Sequence, residues 1–325
     1  MNVRRHHISG VALAAATVLG LGTLSACSSD SAATGNTDKF DVVASFYPMA
    51  FLAEQIGGDH VKVTSLTKPG QEPHDLEVSA QQRAQIEESD AALYLKSLQP
   101  AVDEAVTQSG VKTKIDAASL TTLEDHGSLE DSHEHEGEEA HAEESPSEEE
   151  EHARDPHIWL DPVKYAEVAK GVGAAFEKAD PDHAADYKKN TAALVKKLGD
   201  LNTRFADGLK NTKSKVFFTN HAAFGYLAER YGLTQEAISG LDPESEPSPA
   251  RIKELQQEAK ADGVTTVFYE TLVSDKTAKT LADDAGLKTD VLDPLEGITD
   301  KSKGDDYFAV MDANLAALKT ALGAK

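Results

Sequence analysis

The sequence predicts an α/β protein of two lobes, each a mainly parallel sheet with flanking helices, joined by one long helix. Short β-rich runs alternate with helical runs in two separate series, and one long unbroken helical run lies between them. Strands that alternate with helices favour parallel sheets covered on both faces. We therefore expect an N-terminal lobe at 40–178, a linking helix at 179–212 and a C-terminal lobe at 213–325.

The first series starts with a β-rich run at 41–46. Pro48 then opens a helical run at 49–56, which is followed by Gly57 and Gly58. Proline suits the first turn of a helix, and glycine suits the position after the last one. The same reasoning predicts further strands at 61–67 and 91–95, and further helices at 79–88, 99–108 and 162–178.

The linking helix is predicted from Pro181 to Leu209, a run whose only interior glycine is Gly199. Its apolar residues recur at steps of three and four, as one face of a helix requires. At 1.5 Å per residue, about 29 residues extend over on the order of 43 Å, longer than one small domain is wide. A coiled coil is the alternative, and it is disfavoured because the apolar seam lasts only about two heptads.

The second series follows the linking helix and has the same alternation. Gly232 and Gly286 mark the ends of two of its helical runs. The pattern predicts strands at 215–219, 264–269 and 288–292, with helices at 222–231, 249–261, 276–285 and 305–322.

Residues 1–27 have the composition of an export signal, with a basic start, an apolar run and small residues before Cys27. A single transmembrane anchor is the alternative. Residues 24–27 also resemble a bacterial lipobox, which implies that Cys27 is lipidated and holds the protein at a membrane. Residues 28–39 then form a flexible tether. Because Cys27 is the only cysteine, any metal must be bound by histidine and carboxylate side chains.

The tract at 124–153 is rich in His and Glu and almost free of apolar residues, so we expect a disordered loop. It carries much of the net charge of −24. It is either an acidic spacer or a weak collector of metal, in which carboxylates concentrate cations around the imidazoles. The chain has no basic stripe to neutralise phosphates, which argues against a nucleic-acid partner. The histidines of the tract are His126, His133, His135, His141 and His152.

Four polar side chains are placed for a common site. His74 lies in the loop after the second predicted strand, and His221 and Asp293 come directly after later strands. His157 stands between two Asp-Pro steps, whose prolines restrict the backbone around it. Ligands bind beyond the carboxyl ends of strands in open α/β sheets, so we expect a site in the cleft between the lobes. Three imidazoles and one carboxylate fill a tetrahedral Zn²⁺ sphere.

Each candidate also has a structural interpretation. A lone histidine at a strand end is more often hydrogen-bonded within the fold, and an aspartate before proline, as at Asp293, is typical of a turn. Glu270 also ends a strand and is the reserve carboxylate. The fourth ligand therefore stays open between Asp293, Glu270, Glu72 and a water molecule.

Several motifs together resemble the ZnuA-like family of solute-binding lipoproteins, which serve zinc and manganese ABC importers. The resemblance covers nearly the whole chain after the signal and implies metal ligands at His74, His157, His221 and, in many members, Asp293. It also implies an exported, membrane-anchored monomer that delivers its ion to an ABC permease. The motifs are Ser45–Pro48 with Ile56–Gly58, the Pro-His step at His74, Asp155–Pro162, His221–Tyr226 with Tyr231–Gly232, Glu244–Ser248 and Leu292–Pro294.

Zinc is the predicted ion, because nitrogen-rich four-coordinate sites suit Zn²⁺ whereas Mn²⁺ prefers oxygen ligands. Manganese-handling relatives commonly have Glu where this chain has His221. A manganese-binding role is the first alternative. A zinc hydrolase is disfavoured because the sequence has no His-Glu-x-x-His motif and no evident general base. A surface adhesin is a third possibility, with no distinguishing motif.

Overall fold

The computed structural model describes residues 39–126 and 154–325. It contains two four-stranded sheets whose strands are all parallel, each flanked by helices. The strand orders are β2-β1-β3-β4 and β6-β5-β7-β8, so the two halves repeat one topology. The predicted fold class is confirmed. The strands are β1 Phe40–Ala44, β2 Val61–Ser65, β3 Ala91–Tyr94, β4 Thr113–Asp116, β5 Val216–Thr219, β6 Thr234–Ala237, β7 Thr266–Tyr269 and β8 Lys288–Val291.

Two of these strands, β4 and β6, were absent from the sequence prediction. Both lie at a sheet edge, and their sequences Thr-Lys-Ile-Asp and Thr-Gln-Glu-Ala are mostly polar. An edge strand pairs on one side only and needs no continuous apolar run. A search for apolar runs therefore misses it.

The helices agree with the prediction to within a few residues. Side chains cap several of them: Ser79 forms a capping box with Gln82, and Asp161 accepts a hydrogen bond from the backbone N–H of Val163. The helices are α1 Tyr47–Gly57, α2 Ala80–Glu88, α3 Pro100–Gln108, α4 Pro162–Ala179, α5 Ala184–Leu209, α6 Gly225–Tyr231, α7 Pro249–Ala261, α8 Lys276–Ala285 and α9 Tyr307–Ala321.

The long helix α5 has 26 residues and follows a 3₁₀ turn at Pro181–His183. It packs on α1 and α4 of the first half and on α6 and α9 of the second. These contacts with four helices of the globular body confirm the linking helix and argue against a coiled coil. Its buried face consists of Tyr187, Thr191, Leu194, Leu198, Leu201, Phe205 and Leu209.

One hydrophobic core runs through both halves, and Trp159 lies within it. Its ring nitrogen donates a hydrogen bond to the carbonyl of Pro294 at 2.7 Å, and its own carbonyl accepts one from the hydroxyl of Tyr307 at 2.6 Å. Phe46 packs edge-to-face on the indole at 5.0 Å. The segment that carries His157 is thus fixed against the second half. Two smaller clusters pack on the other faces of the two sheets.

Within the described part of the chain, no helix is both long enough and apolar enough to cross a membrane.

The buried face of α5 allows a direct test of the shared core. We expect Leu198→Ala to lower the free energy of unfolding by about 2–5 kcal/mol, because Leu198 is fully buried and truncation leaves a cavity. Urea unfolding measures this loss. The control Lys189→Ala, on the exposed face of α5, is expected to change stability by less than about 0.5 kcal/mol. Equal effects of the two substitutions would contradict the assigned face.

Candidate metal centre

Four segments from both halves meet at the carboxyl ends of the sheets. His74 lies in the loop after β2, and His157 directly precedes a 3₁₀ turn at Ile158–Leu160. His221 follows β5, and Glu296 lies in the segment after β8. Such loops are where open α/β sheets bind ligands. His157, His221 and Glu296 are buried, whereas the side chain of His74 is 11% exposed.

The three imidazoles converge on one carboxylate oxygen. The Nε2 atoms of His74, His157 and His221 lie 3.1, 3.3 and 3.4 Å from Oε1 of Glu296. The Nε2 atoms of His157 and His221 are 3.4 Å apart. Metal–ligand bonds of 2.0–2.1 Å at tetrahedral angles separate neighbouring ligand atoms by about 3.3–3.4 Å. The four donors therefore have the spacing of one tetrahedral zinc site.

Carboxylates on the far side of two rings orient them. Asp155 Oδ1 lies 2.7 Å from Nδ1 of His157, and Glu270 Oε1 lies 2.8 Å from Nδ1 of His221. A proton on each Nδ1 satisfies these carboxylates and leaves Nε2 free to bind a metal. Glu270, the reserve ligand of the sequence prediction, thus supports a ligand from behind the ring. Glu72 accepts a hydrogen bond from the backbone N–H of His74 at 3.1 Å.

The electrostatics of the cluster favour a cation at its centre. Burial alone would raise the pKa of Glu296, but the charge of His74 and hydrogen bonds from all three imidazoles hold it well below the usual value. Burial likewise opposes the charged imidazoles, whereas Asp155 and Glu296 raise the pKa of His157. Glu270 and Glu296 raise the pKa of His221 well above the usual value. The buried carboxylate therefore requires positive charge, as protons or as a metal ion.

Asp293 lies outside this cluster, contrary to its predicted place beside the three imidazoles. Its Oδ1 accepts a hydrogen bond from the backbone N–H of Leu295 at 2.8 Å, and its Oδ2 accepts one from the hydroxyl of Thr271 at 3.3 Å. Burial raises its pKa. The group of donors within 4.8 Å of one another contains Glu296 in its place. Of the two interpretations of Asp293 that the sequence allowed, metal ligand and turn residue, the contacts fit the turn residue.

The turn at Asp293 sets the direction of Glu296. Leu295 has φ +60°, a left-handed conformation that costs a non-glycine residue about 1–2 kcal/mol. Asn314 of α9 holds the same turn, because its side chain hydrogen-bonds the backbone N–H and carbonyl of Asp293 at 2.9 and 2.7 Å. This reversal of the chain brings Glu296 into the cleft. The Asp-Pro step indicates a turn at Asp293, but no local pattern indicates the left-handed conformation of Leu295 that follows it, so the prediction selected the acid nearest the strand end.

The described part of the His/Glu tract contains one of its five histidines. The donors of Glu124, His126 and Glu229 form a second group within 4.8 Å of one another. His133, His135, His141, His152 and Cys27 lie outside the described residues, and their predicted roles stay predictions.

A buried cluster of three imidazoles and a carboxylate between two parallel sheets is the site of a metal-binding protein of the solute-binding type. The family described as "Zinc-uptake complex component A periplasmic", ZnuA, matches residues 42–321. The chain belongs to this family, and the resemblance found in the sequence is confirmed.

Relatives in sequence bear zinc-related names. The "Zinc-binding lipoprotein AdcA" of Streptococcus pneumoniae R6 is 38% identical over 302 residues, which are 91% of this chain and 58% of AdcA. This chain thus spans less than two thirds of that relative. The "High-affinity zinc uptake system protein ZnuA" of Bacillus subtilis 168 is 36% identical over 97% of both chains.

Solved structures share the fold. The Zn(II)-bound ZnuA-like domain of Streptococcus pneumoniae AdcA is 35% identical with a TM-score of 0.70, covering 87% of this chain and 99% of that one. The laminin-binding protein Lmb of Streptococcus agalactiae, described as a bifunctional protein with adhesin and metal-transporting activity, has a TM-score of 0.75 at 31% identity. It covers 87% of this chain and 99% of its own.

The turn at Asn314 can be tested by stability. Asn314→Ala removes both hydrogen bonds to Asp293 and leaves a buried N–H and a buried carbonyl without partners. We expect a loss of about 2–4 kcal/mol in unfolding free energy, measured by denaturant titration. Asp312 is on the same helix as Asn314 and forms an exposed ion pair with Arg204 of α5, so Asp312→Asn is expected to cost less than about 1 kcal/mol. An unchanged free energy of unfolding in Asn314→Ala would show that Asn314 does not stabilise the turn at Asp293.

Proposed function

We propose that this protein captures Zn²⁺ in the cleft formed by His74, His157, His221 and Glu296 and delivers it to an ABC permease. One observation carries the proposal. The three Nε2 atoms lie 3.1–3.4 Å from Oε1 of Glu296, which is the separation expected between neighbouring ligand atoms of a tetrahedral zinc ion. The zinc-related names of the family and of relatives in Streptococcus pneumoniae and Bacillus subtilis support the same ion.

Zinc is favoured over manganese by the donor set. Three nitrogens and one oxygen suit Zn²⁺, whereas Mn²⁺ prefers oxygen ligands and more of them. His221 is important here, because it contributes the third nitrogen. Manganese binding at this site stays the alternative that the metal titration below tests.

The geometry favours binding over hydrolysis. A catalytic zinc usually has three protein ligands and an open position for water, whereas here Glu296 would supply a fourth protein ligand. Of the other carboxylates near the site, Asp155 and Glu270 are engaged with ring nitrogens of the ligands, and Glu72 accepts a hydrogen bond from the backbone N–H of His74. We therefore propose a transport role without catalysis.

The delivery steps follow from the location of the site and from the sequence. We propose that a lipid on Cys27 holds the protein on the outer face of the membrane, and that residues 28–39 tether a body of two lobes, at 40–178 and 213–325. The body acts as a monomer, and the linking helix at 179–212 joins its lobes. Because one core runs through both halves, release uses small tilts and loop shifts that leave the core intact. The histidines of the 124–153 tract raise the local zinc supply.

Removal of a ligand tests the site directly. We expect His221→Ala to weaken zinc binding more than about 100-fold, because even residues behind the ligands are commonly worth 10–100-fold. Glu296→Gln keeps an oxygen donor and loses the charge, so its effect should be smaller. Competition with a chromophoric chelator measures both. Glu88→Gln removes an exposed carboxylate at the end of α2 and serves as the control. Unchanged affinity in His221→Ala would overturn the assignment.

The choice of metal is tested by calorimetry of metal-depleted protein with Zn²⁺ and Mn²⁺. We expect Zn²⁺ to bind far more tightly, because imidazole nitrogens dominate the donor set. Equal affinities for the two ions would count against a zinc-transport role and in favour of the manganese alternative.

Zinc affinity should fall as pH drops, and the decline should be evident by about pH 6. Protons and Zn²⁺ compete for the same Nε2 atoms, and a raised imidazole pKa strengthens the proton in that competition. The neighbouring carboxylates outweigh burial and raise the pKa of His157 and His221. Proton release on zinc binding, compared in two buffers of different ionisation enthalpy, measures the effect. Constant affinity down to pH 5 would exclude histidine ligation.

A further inference from the structure

A second group of metal-binding side chains lies outside the cleft. Glu124 and His126 stand where the chain enters the His/Glu tract, and Glu229 comes from α6 of the other half. Their donor atoms lie within 4.8 Å of one another, and Nε2 of His126 is 2.9 Å from Oε2 of Glu229. One imidazole and two carboxylates thus lie close enough together to share one ion.

Glu124, His126 and Glu229, the outer group, share an orienting residue with the cleft. Asp155 Oδ2 lies 3.1 Å from Nδ1 of His126, while Oδ1 of the same carboxylate lies 2.7 Å from Nδ1 of His157. Both rings thereby direct Nε2 away from Asp155. A carboxylate behind the ring is the usual support of a metal-binding histidine. His126 has the same support as the cleft ligand His157.

The charge around the outer group suits a divalent cation. Three carboxylates, those of Glu124, Glu229 and Asp155, gather here. Among the residues that the structure describes, Lys164 is the ammonium paired with them, 2.6 Å from Oε1 of Glu124. When Nε2 of His126 binds a metal, the imidazole is neutral, and the three carboxylates and Lys164 then leave two negative charges to balance the cation. Lys164 also donates a hydrogen bond to the carbonyl of Thr122 at 2.8 Å, so it holds Glu124 in place.

The surrounding backbone fixes the positions of these side chains. Tyr226 of α6 accepts a hydrogen bond from the N–H of Glu124 and donates one to the carbonyl of Asp155, both at 2.8 Å. The ring of His126 packs edge-to-face on Tyr226 at 4.4 Å. At Gly225, a Cβ would lie 2.2 Å from Cβ of His126 and 2.9 Å from Oδ2 of Asp155, so only glycine permits the approach. The ring of His126 and the backbone of Glu124 are therefore held in place by the fold.

We propose that Glu124, His126 and Glu229 form a second zinc site, linked to the cleft site through the shared carboxylate of Asp155. This inference rests on the proposed zinc function. The outer site binds more weakly than the cleft, because it has one nitrogen donor and because the side chains of Glu124 and Glu229 are 36% and 59% exposed. It holds an ion at the point where the histidine-rich tract meets the cleft.

Anomalous diffraction from crystals of the full chain grown with excess ZnCl₂ tests the position. We expect two peaks, one in the cleft and one bound to His126 Nε2 and Glu229. Glu229→Gln should abolish the outer peak and keep the cleft peak, and Glu88→Gln should keep both. A filled cleft with no outer peak in the wild type would overturn the proposal, as would an outer peak unchanged by Glu229→Gln.

Two further variants separate this proposal from the proposed function. His221→Ala, which does not touch Asp155, should lose the cleft peak and keep the outer one. If the outer peak is absent while the cleft peak is present, the second site is refuted and the proposed zinc capture in the cleft is not. Asp155→Asn should weaken zinc binding at both sites by about 10–100-fold, because Asn has one oxygen acceptor where Asp has two. If Asp155→Asn weakened zinc binding in the cleft alone, Asp155 would not be the common support of His126 and His157.

Discussion

The buried carboxylate of Glu296 is the constraint on which the site depends. An isolated buried charge costs several kcal/mol, so the fold must supply positive charge or hydrogen-bond donors around it. Three imidazoles from three separate segments do so, at 3.1–3.4 Å from one oxygen. The turn at Asp293 and Leu295, which leads into Glu296, is held by Asn314. A strained backbone residue next to a buried charge is typical of a functional site.

The connections between the halves explain how the ligands stay in register. His157 belongs to the first half, yet its neighbour Trp159 is hydrogen-bonded to Pro294 and Tyr307 of the second. The helix α5 packs on helices of both halves within one core. A wide hinge opening would expose this core to water, at a cost that grows with the apolar area exposed. The same packing therefore supports release by small local movements.

Asp155 connects the site to the His/Glu tract. It orients His157 with one oxygen and His126 with the other, and its backbone is held by Tyr226. Asp155 thus supports two imidazoles, His126 at the start of the tract and His157 at the wall of the cleft. An ion near His126 and an ion in the cleft would both act on this group, which provides a physical path for coupling between them.

Local sequence patterns were enough to predict most of the helices and strands. Apolar spacing and caps predicted the α5 helix and the α8 helix at Lys276–Ala285, and glycine or proline marked most boundaries. The three cleft histidines were found because each follows a strand or lies between prolines.

Other features depend on contacts between segments that are far apart in the sequence. The polar edge strands β4 and β6 exist through pairing with their neighbours. Glu296 rather than Asp293 reaches the imidazoles because of the positive φ at Leu295, and Glu229 meets His126 across 103 residues of chain. Such choices among similar carboxylates depend on distances between remote segments, which local patterns do not encode.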